Sequence, residues 1–197
     1  MTTRPLRHRR PGLLTTTSTL ALAVVATTVV VTVPGNADPG GPTVRDDTAG
    51  LDYALPVGWA ALPAEERLFG ISSGGMLDGT QPGTVLMIGV VPPSSDATEP
   101  PLTTATRRLA GDLGEFFLPV PGRREYYIDE ETTVDGRVAW VAGYRVLPAG
   151  SAEVGADVQV TMIEDGTRRL FVLVVIGPPD ADRLAAANES VSSIRFR

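Results

Sequence analysis

Leu170-Phe171-Val172-Leu173-Val174-Val175-Ile176 decides the fold. The run is apolar at every position and rich in β-branched side chains. It reads as a strand covered on both faces, hence central in a sheet. Glu164-Asp165-Gly166-Thr167 stands just before it, and Asp-Gly between two β-prone runs is a hairpin signal. The partner strand is then Ala156 to Ile163, with Val158, Val160 and Met162 facing inward. Further upstream, Val134-Asp135-Gly136-Arg137 repeats the signal. It joins Tyr126–Val134 to Val138–Leu147, where Val138, Trp140, Ala142, Tyr144 and Val146 share one face. Consecutive hairpins demand an antiparallel sheet.

Helical patterns lie on either side of these strands. After the run, Pro178-Pro179-Asp180 breaks the sheet and starts a helix with Leu184, Ala187, Val191 and Ile194 on one stripe. Before the hairpins, Thr103 or Thr104 is expected to cap a helix carrying Ala105, Leu109, Leu113 and Phe116, which stops at Pro119. Thr84 to Val91 reads as another doubly covered strand, and Pro92 to Pro101 as a polar loop. Leu51 to Leu55 alternates as a short strand and runs into the turn Pro56-Val57-Gly58-Trp59, while Ala64 to Leu68 fits one helical turn. Two amphipathic helices must bury their stripes on the sheet, so the fold class is α+β, an antiparallel sheet packed with two main helices.

The N-terminus carries a basic head of Arg4, Arg7, Arg9 and Arg10, an apolar stretch from Leu13 to Val33, and small residues at Gly35 and Ala37. This is the pattern of a secretory signal peptide over residues 1–37, and an uncleaved membrane anchor is its other reading. Residues 38–50, rich in Gly, Pro and Asp, are expected to be a flexible linker, with a single domain over 51–197. The folded part is placed outside the cytoplasmic membrane.

Composition excludes several function classes. The chain has no cysteine, and its one histidine, His8, falls in the export segment. A disulfide framework, a thiolate nucleophile and a lipid on an N-terminal cysteine are therefore ruled out, and the mature domain has no imidazole for a base or a zinc ion. Lysine is absent too, so serine and threonine lack the usual activating bases. Beyond residue 37, thirteen arginines face twenty-three acidic residues, a net charge of about −10. Such a surface repels nucleic acid and anionic lipid. The reading is of a protein that binds and does not catalyse, with no cofactor.

Arg108 to Gly122, RLAGDLGEFFLPVPG, strongly resembles the bacterial fibronectin-attachment proteins, also known as alanine- and proline-rich secreted antigens. The same order of landmarks continues in LDYALPVGW at Leu51–Trp59, in Arg169-Leu170-Phe171-Val172, and in SVSSIRF at Ser190–Phe196. The resemblance covers the whole expected domain. It implies a secreted or cell-wall-associated adhesin built on the antiparallel sandwich of the PsbP and Mog1 superfamily. It also implies a partner-binding segment at Arg168, Arg169, Leu170, Phe171 and Val172, with fibronectin or another host matrix protein as partner. Two departures stand out. Members of the family carry long Pro/Ala-rich arms where this chain has only Asp38–Gly50, and the family's contact segment has a Trp where this chain has Leu170.

The residues themselves allow plainer readings of each site. Arg168 and Arg169 beside Phe171 suit an interface, where arginine and aromatics concentrate, but equally suit a solvated strand start above a core Phe. Asp129, Glu130, Glu131 and Asp135 offer carboxylates to calcium, without the ligand spacing or turn glycine of a dedicated loop; an acidic edge that discourages sheet pairing is the commoner pattern. Asp112 and Glu115 lie off the helix stripe and read as solvated. Ser94, Ser95, Thr98, Thr103 and Thr104 among prolines allow O-linked sugar, and Asn188-Glu189-Ser190 matches an N-glycosylation pattern inside an expected helix. Two functions follow: an adhesin using the sheet edge and Arg168–Val172, or an envelope accessory domain that holds a bacterial protein or small ligand and does not bind fibronectin.

Overall fold

The computed structural model describes residues 31–32, 40–67, 70–77, 83–92, 99–150 and 155–197. The strands are β1 (Val31–Thr32), β2 (Thr43–Asp46), β3 (Leu51–Ala54), β4 (Trp59–Ala61), β5 (Ile71–Leu77), β6 (Thr84–Val91), β7 (Gly122–Val134), β8 (Arg137–Pro148), β9 (Ala156–Asp165), β10 (Arg168–Ile176) and β11 (Arg195–Phe196). The helices are α1 (Leu102–Phe117) and α2 (Ala181–Ser192), with a 3₁₀ turn at Ala64–Glu66. Two antiparallel sheets result: seven strands in the order β4-β5-β6-β10-β9-β8-β7, and four in the order β1-β2-β3-β11.

The LFVLVVI run is central, as its pattern requires. β10 lies between β6 and β9 and is buried from Leu170 to Ile176. Its period of two divides the core. Leu170, Val172, Val174 and Ile176 join Leu51 and Tyr53 of the small sheet, Trp59 of β4 and Ala187 and Val191 of α2. Phe171, Leu173 and Val175 point the other way, into a second core with Ala110, Leu109 and Leu113 of α1 and Ala142, Tyr144 and Val146 of β8. The order of layers is therefore α1, large sheet, then small sheet with α2.

Both Asp-Gly turns form where the sequence puts them. Asp135 and Gly136 both have positive φ, 49° and 76°, the signs of a type I′ hairpin, and Gly166 opens the second turn at φ 64°. The helices need adjustment. α1 begins two to three residues earlier than a cap at Thr103 or Thr104 would place it, with Pro101 at the N-cap and no side-chain cap. Its buried line is Thr106, Ala110 and Gly114 rather than the larger apolar residues, and Phe116 is 48% exposed. Small residues on that line let the helix sit close to the sheet, while Leu109, Leu113 and Phe117 flank it. α2 is capped by Asp180, whose carboxylate accepts from the Asp182 and Arg183 amides.

The linker expected over residues 38–50 is corrected from Thr43 onward. β2 pairs with β3, Val44 and Ala49 are fully buried, and the Asp46 side chain is buried in a polar knot. Its carboxylate accepts from the Ala49 amide at 2.9 Å, Ser72 Oγ at 2.5 Å and Ser73 Oγ at 2.6 Å. The segment's glycines and aspartates are turn chemistry inside the fold. Residues 1–30 and 33–37 of the expected leader lie outside the described residues, whereas Val31–Thr32 pairs with Val44 and Thr43.

Candidate partner-binding site

Of the Arg168–Val172 segment only the arginines reach the surface, where Arg168 and Arg169 line a small cleft with Glu99 and Glu164. Leu170, Phe171 and Val172 are 0%, 5% and 1% exposed, because they sit mid-sheet and feed both cores. Arg168 closes the fold: its Nε donates to Asp165 Oδ2 at 2.7 Å and Nη2 to the Ala49 carbonyl at 2.8 Å. Arg169 is mostly covered; its guanidinium donates to the Pro100 carbonyl at 2.8 Å and to Glu164 Oε1 at 3.1 Å, pinning the entry to α1. The two arginines hold loops, and the strand behind them is core.

The carboxylates considered for calcium are dispersed. Asp129 accepts from Arg107 Nε at 3.0 and 2.8 Å and from Trp140 Nε1 at 2.7 Å. Asp135 Oδ2 accepts from the Phe196 amide at 2.9 Å. Arg107, followed by Trp140, holds Asp129 below the usual carboxylate range. No group of three or more acidic or histidine side chains able to hold a metal occurs among the described residues. Glu115 pairs with Arg124 at 2.8 Å and Asp112 with Arg108 at 3.7 Å, both carboxylates well exposed on the outer side of α1. Asn188 accepts from Gln159 within α2, and Ser94, Ser95 and Thr98 lie outside the described residues.

The surface that does stand out follows α1. The chain leaves the helix at Leu118, turns through Pro119-Val120-Pro121 and enters β7, and a cleft of about 680 Å³ opens there. Gly114, Leu118, Val120 and Val146 give it apolar walls, and Glu115 and Arg124 stand at its rim. Tyr126, in ring contact with Tyr144 at this corner, is 66% exposed, Val120 in the cleft wall is exposed as well, and Phe116 on α1 is 48% exposed. Tyr144 anchors this corner from beneath. Its ring lies 5.5 Å from that of Tyr126 and carries the Arg124 guanidinium 5.1 Å above it, while its hydroxyl donates to the Ala110 carbonyl at 2.9 Å. Burial pushes the Tyr144 phenol up, so it stays a neutral donor. These residues fall within or beside the RLAGDLGEFFLPVPG block. Periodicity missed the surface because it assigned Phe116 to the buried stripe.

Two antiparallel sheets and two helices, with an arginine-rimmed cleft between α1 and β7, define a domain of the α+β sandwich class. The sequence matches the fibronectin-attachment protein (FAP) domain over residues 43–196, and the chain belongs to that family. No curated protein matches it in sequence. The fold is similar to that of cyanobacterial PsbP (CyanoP) from Synechocystis sp. PCC 6803, at 16% identity over 84% of this chain and 98% of that one, with a TM-score of 0.59. It is also similar to the Saccharomyces cerevisiae Ran-binding protein Mog1p, at 11% identity over 78% and 94% of the two chains and a TM-score of 0.55. LpqN of Mycobacterium tuberculosis, involved in cell envelope biogenesis, is 14% identical over 86% and 89%, with a TM-score of 0.50. At such identities the likeness is one of fold.

Proposed function

We propose that the chain is exported and works at the cell envelope or beyond it as a protein-binding module, with fibronectin as its partner. The partner meets the corner between α1 and β7, not the Arg168–Val172 strand. One observation carries this reading: Tyr126 keeps 66% of its surface in water beside Tyr144 and Arg124, and Arg124 rims the cleft. Aromatic rings and arginine are the residues that anchor interfaces, and large exposed apolar groups around one cleft are the usual mark of a docking surface. Membership of the fibronectin-attachment family supports the choice of partner. A second reading rests on Leu170. The family's contact segment carries a Trp there, and here the position is fully buried in aliphatic core, so this member fits an envelope partner of the bacterium equally in surface chemistry.

Interferometry of the secreted protein over immobilised fibronectin tests the proposal at physiological salt. Saturable binding is expected, weakened roughly tenfold or more by Tyr126→Ala, since anchor residues commonly contribute about 2 kcal/mol. Arg169→Ala is expected to lower the thermal midpoint while leaving the binding constant near that of the parent protein. Absence of binding by the folded protein would remove fibronectin and leave the envelope partner.

A further inference from the structure

β7 is a 13-residue strand at the end of the large sheet, paired on one side with β8 and exposed along most of its length. We propose that this edge pairs with the same edge of a second copy of the chain, antiparallel about a two-fold axis, to form a homodimer with a continuous sheet.

The order of charges along the strand selects this occupant. Arg123 and Arg124 lie in its first half, and Asp129, Glu130 and Glu131 in its second. A two-fold axis places each half against the other, so the basic half of one copy meets the acidic half of its mate. A register with Arg123 opposite Glu130 sets Arg124 opposite Asp129 and Glu125 opposite Ile128, and puts no like charges face to face. Shifting it by two residues one way brings Glu125 against Glu130, and the other way sets Arg123 opposite Ile128 and loses both opposite-charge pairs. Arg123 is largely exposed and pairs only with Glu125 of its own strand, and Glu130 and Glu131 have no ion pair among the described residues. An edge guarded only by charge needs no such complementarity between its halves.

The bulge in β7 makes this register possible. Arg124 and Tyr126 pair with Val146 and Tyr144 of β8, but beyond Tyr127 the register slips, so that Asp129 and Glu131 pair with Ala142 and Trp140. Ala142, Tyr144 and Val146 all face α1. Arg124 and Asp129 therefore lie on the same face despite their odd separation, and Arg123 and Glu130 share the opposite face. β8 runs on in unbroken register with β9. Face and hydrogen-bond direction alternate together along a strand, so residues on one face of β7 also turn their amides the same way in both halves. An unbulged strand would bring opposite faces together in this register.

Among the described residues, β8 is the only strand paired with β7. α1 packs over β8 and β9, not over β7. With strands about 4.8 Å apart, the two copies of α1 would be about 19 Å apart, beyond the 8–10 Å of packed helices. Both α1–β7 corners would then stand on one face of the joined sheet. The inference does not depend on which partner those corners bind.

Sedimentation equilibrium on the protein recovered from cells expressing the full chain tests it. The expected result is a dimer whose dissociation constant rises with salt. Arg123→Glu is expected to weaken association about tenfold or more, and Arg123→Glu with Glu130→Arg to restore it, each variant keeping native circular dichroism. The register has its own readout, because the chain lacks cysteine. Opposing residues of an antiparallel pair lie about 4.5–5.5 Å apart, within disulfide reach. Mixed Glu125→Cys and Ile128→Cys proteins should therefore cross-link under mild oxidation. A monomer up to about 100 μM, or an Arg123→Glu variant that associates as the parent does, overturns the proposal.

Discussion

Tyr144 passes through a gap that only glycine leaves. Its ring crosses beneath α1 to reach the Ala110 carbonyl, and a Cβ on Gly114 would collide with its hydroxyl and lie 2.9 Å from Cζ. Overpacking of that kind typically costs about 1–3 kcal/mol, and alanine's better helix propensity returns at most about 1. Gly114→Ala is therefore expected to lower the urea midpoint and to disturb the cleft beside it. Gly111 on the same helix supplies the contrast. A Cβ there meets only Arg124 Nη1, at the ordinary distance of 3.8 Å. Gly111→Ala should leave stability unchanged or raise it by up to about 1 kcal/mol. If both variants unfold at the same urea concentration, the Tyr144 gap does not constrain α1. Asp46 illustrates the complementary rule at this scale: a buried carboxylate is tolerated because three donors satisfy it.

Ion pairs of aspartate with arginine tie neighbouring elements together, which makes cohesion sensitive to acid. Asp129 links β7 to α1 through Arg107, and Asp165 links the β9–β10 turn to Arg137 and Arg168. Burial works against ionisation of Asp165, but hydrogen bonds from Arg168 and Arg137 outweigh it and hold the carboxyl below its usual range. Arg107 chiefly does the same for Asp129. A carboxyl depressed in the folded state binds its proton more readily when unfolded. Its contribution is thus complete above the unfolded value of about 3.9 and is lost as pH falls through the folded one. The thermal midpoint should drop on acidification below about pH 4, and Asp165→Asn should flatten that slope while lowering the midpoint at neutral pH. An unchanged slope would show that other carboxylates govern acid stability. Legibility also divides at this scale. Elements with a loud period or turn were readable: β10 from its apolar run, the two hairpins from Asp-Gly, α2 from its stripe and Asp180. β2 and β5 were not. β5 buries Ser72, Ser73, Gly74 and Gly75, because a Cβ at Gly75 would strike Leu55 and one at Gly74 the Leu86 carbonyl. Its serines pay their desolvation through Asp46, a partner more than twenty residues away. No local pattern announces such an arrangement. The site was half legible for a related reason: the family block points to the α1–β7 corner, but sequence alone cannot tell a doubly covered strand from a contact strand when both carry Arg and Phe.

The whole molecule poses its sharpest question at the N-terminus. The expected signal peptide ends at Ala37, yet Val31–Thr32 extends the small sheet by pairing with β2. If the leader is removed, that sheet loses β1 and keeps β2, β3 and β11. The remaining strands are held from several sides. Val44 is fully buried, Arg168 donates to the Ala49 carbonyl, and the C-terminal Arg197 donates to the Asp46 carbonyl and returns its own amide to Gly50. A two-residue pairing adds little to that, since buried area and packed side chains carry most of the stability. No helix among the described residues is long and apolar enough to cross a membrane. A mature chain starting at Asp38, with a net charge of about −10, would also be repelled by anionic lipid. Intact-mass measurement on the protein recovered from the culture medium should find Asp38 as the first residue. Its thermal midpoint should match that of the full chain within about 2 °C, the shift that a few tenths of a kcal/mol produce in a domain of this size. A mass that retains residues 1–37, found in the membrane fraction, would replace the secreted module by a tethered one and confine the α1–β7 corner to partners within reach of the cell surface.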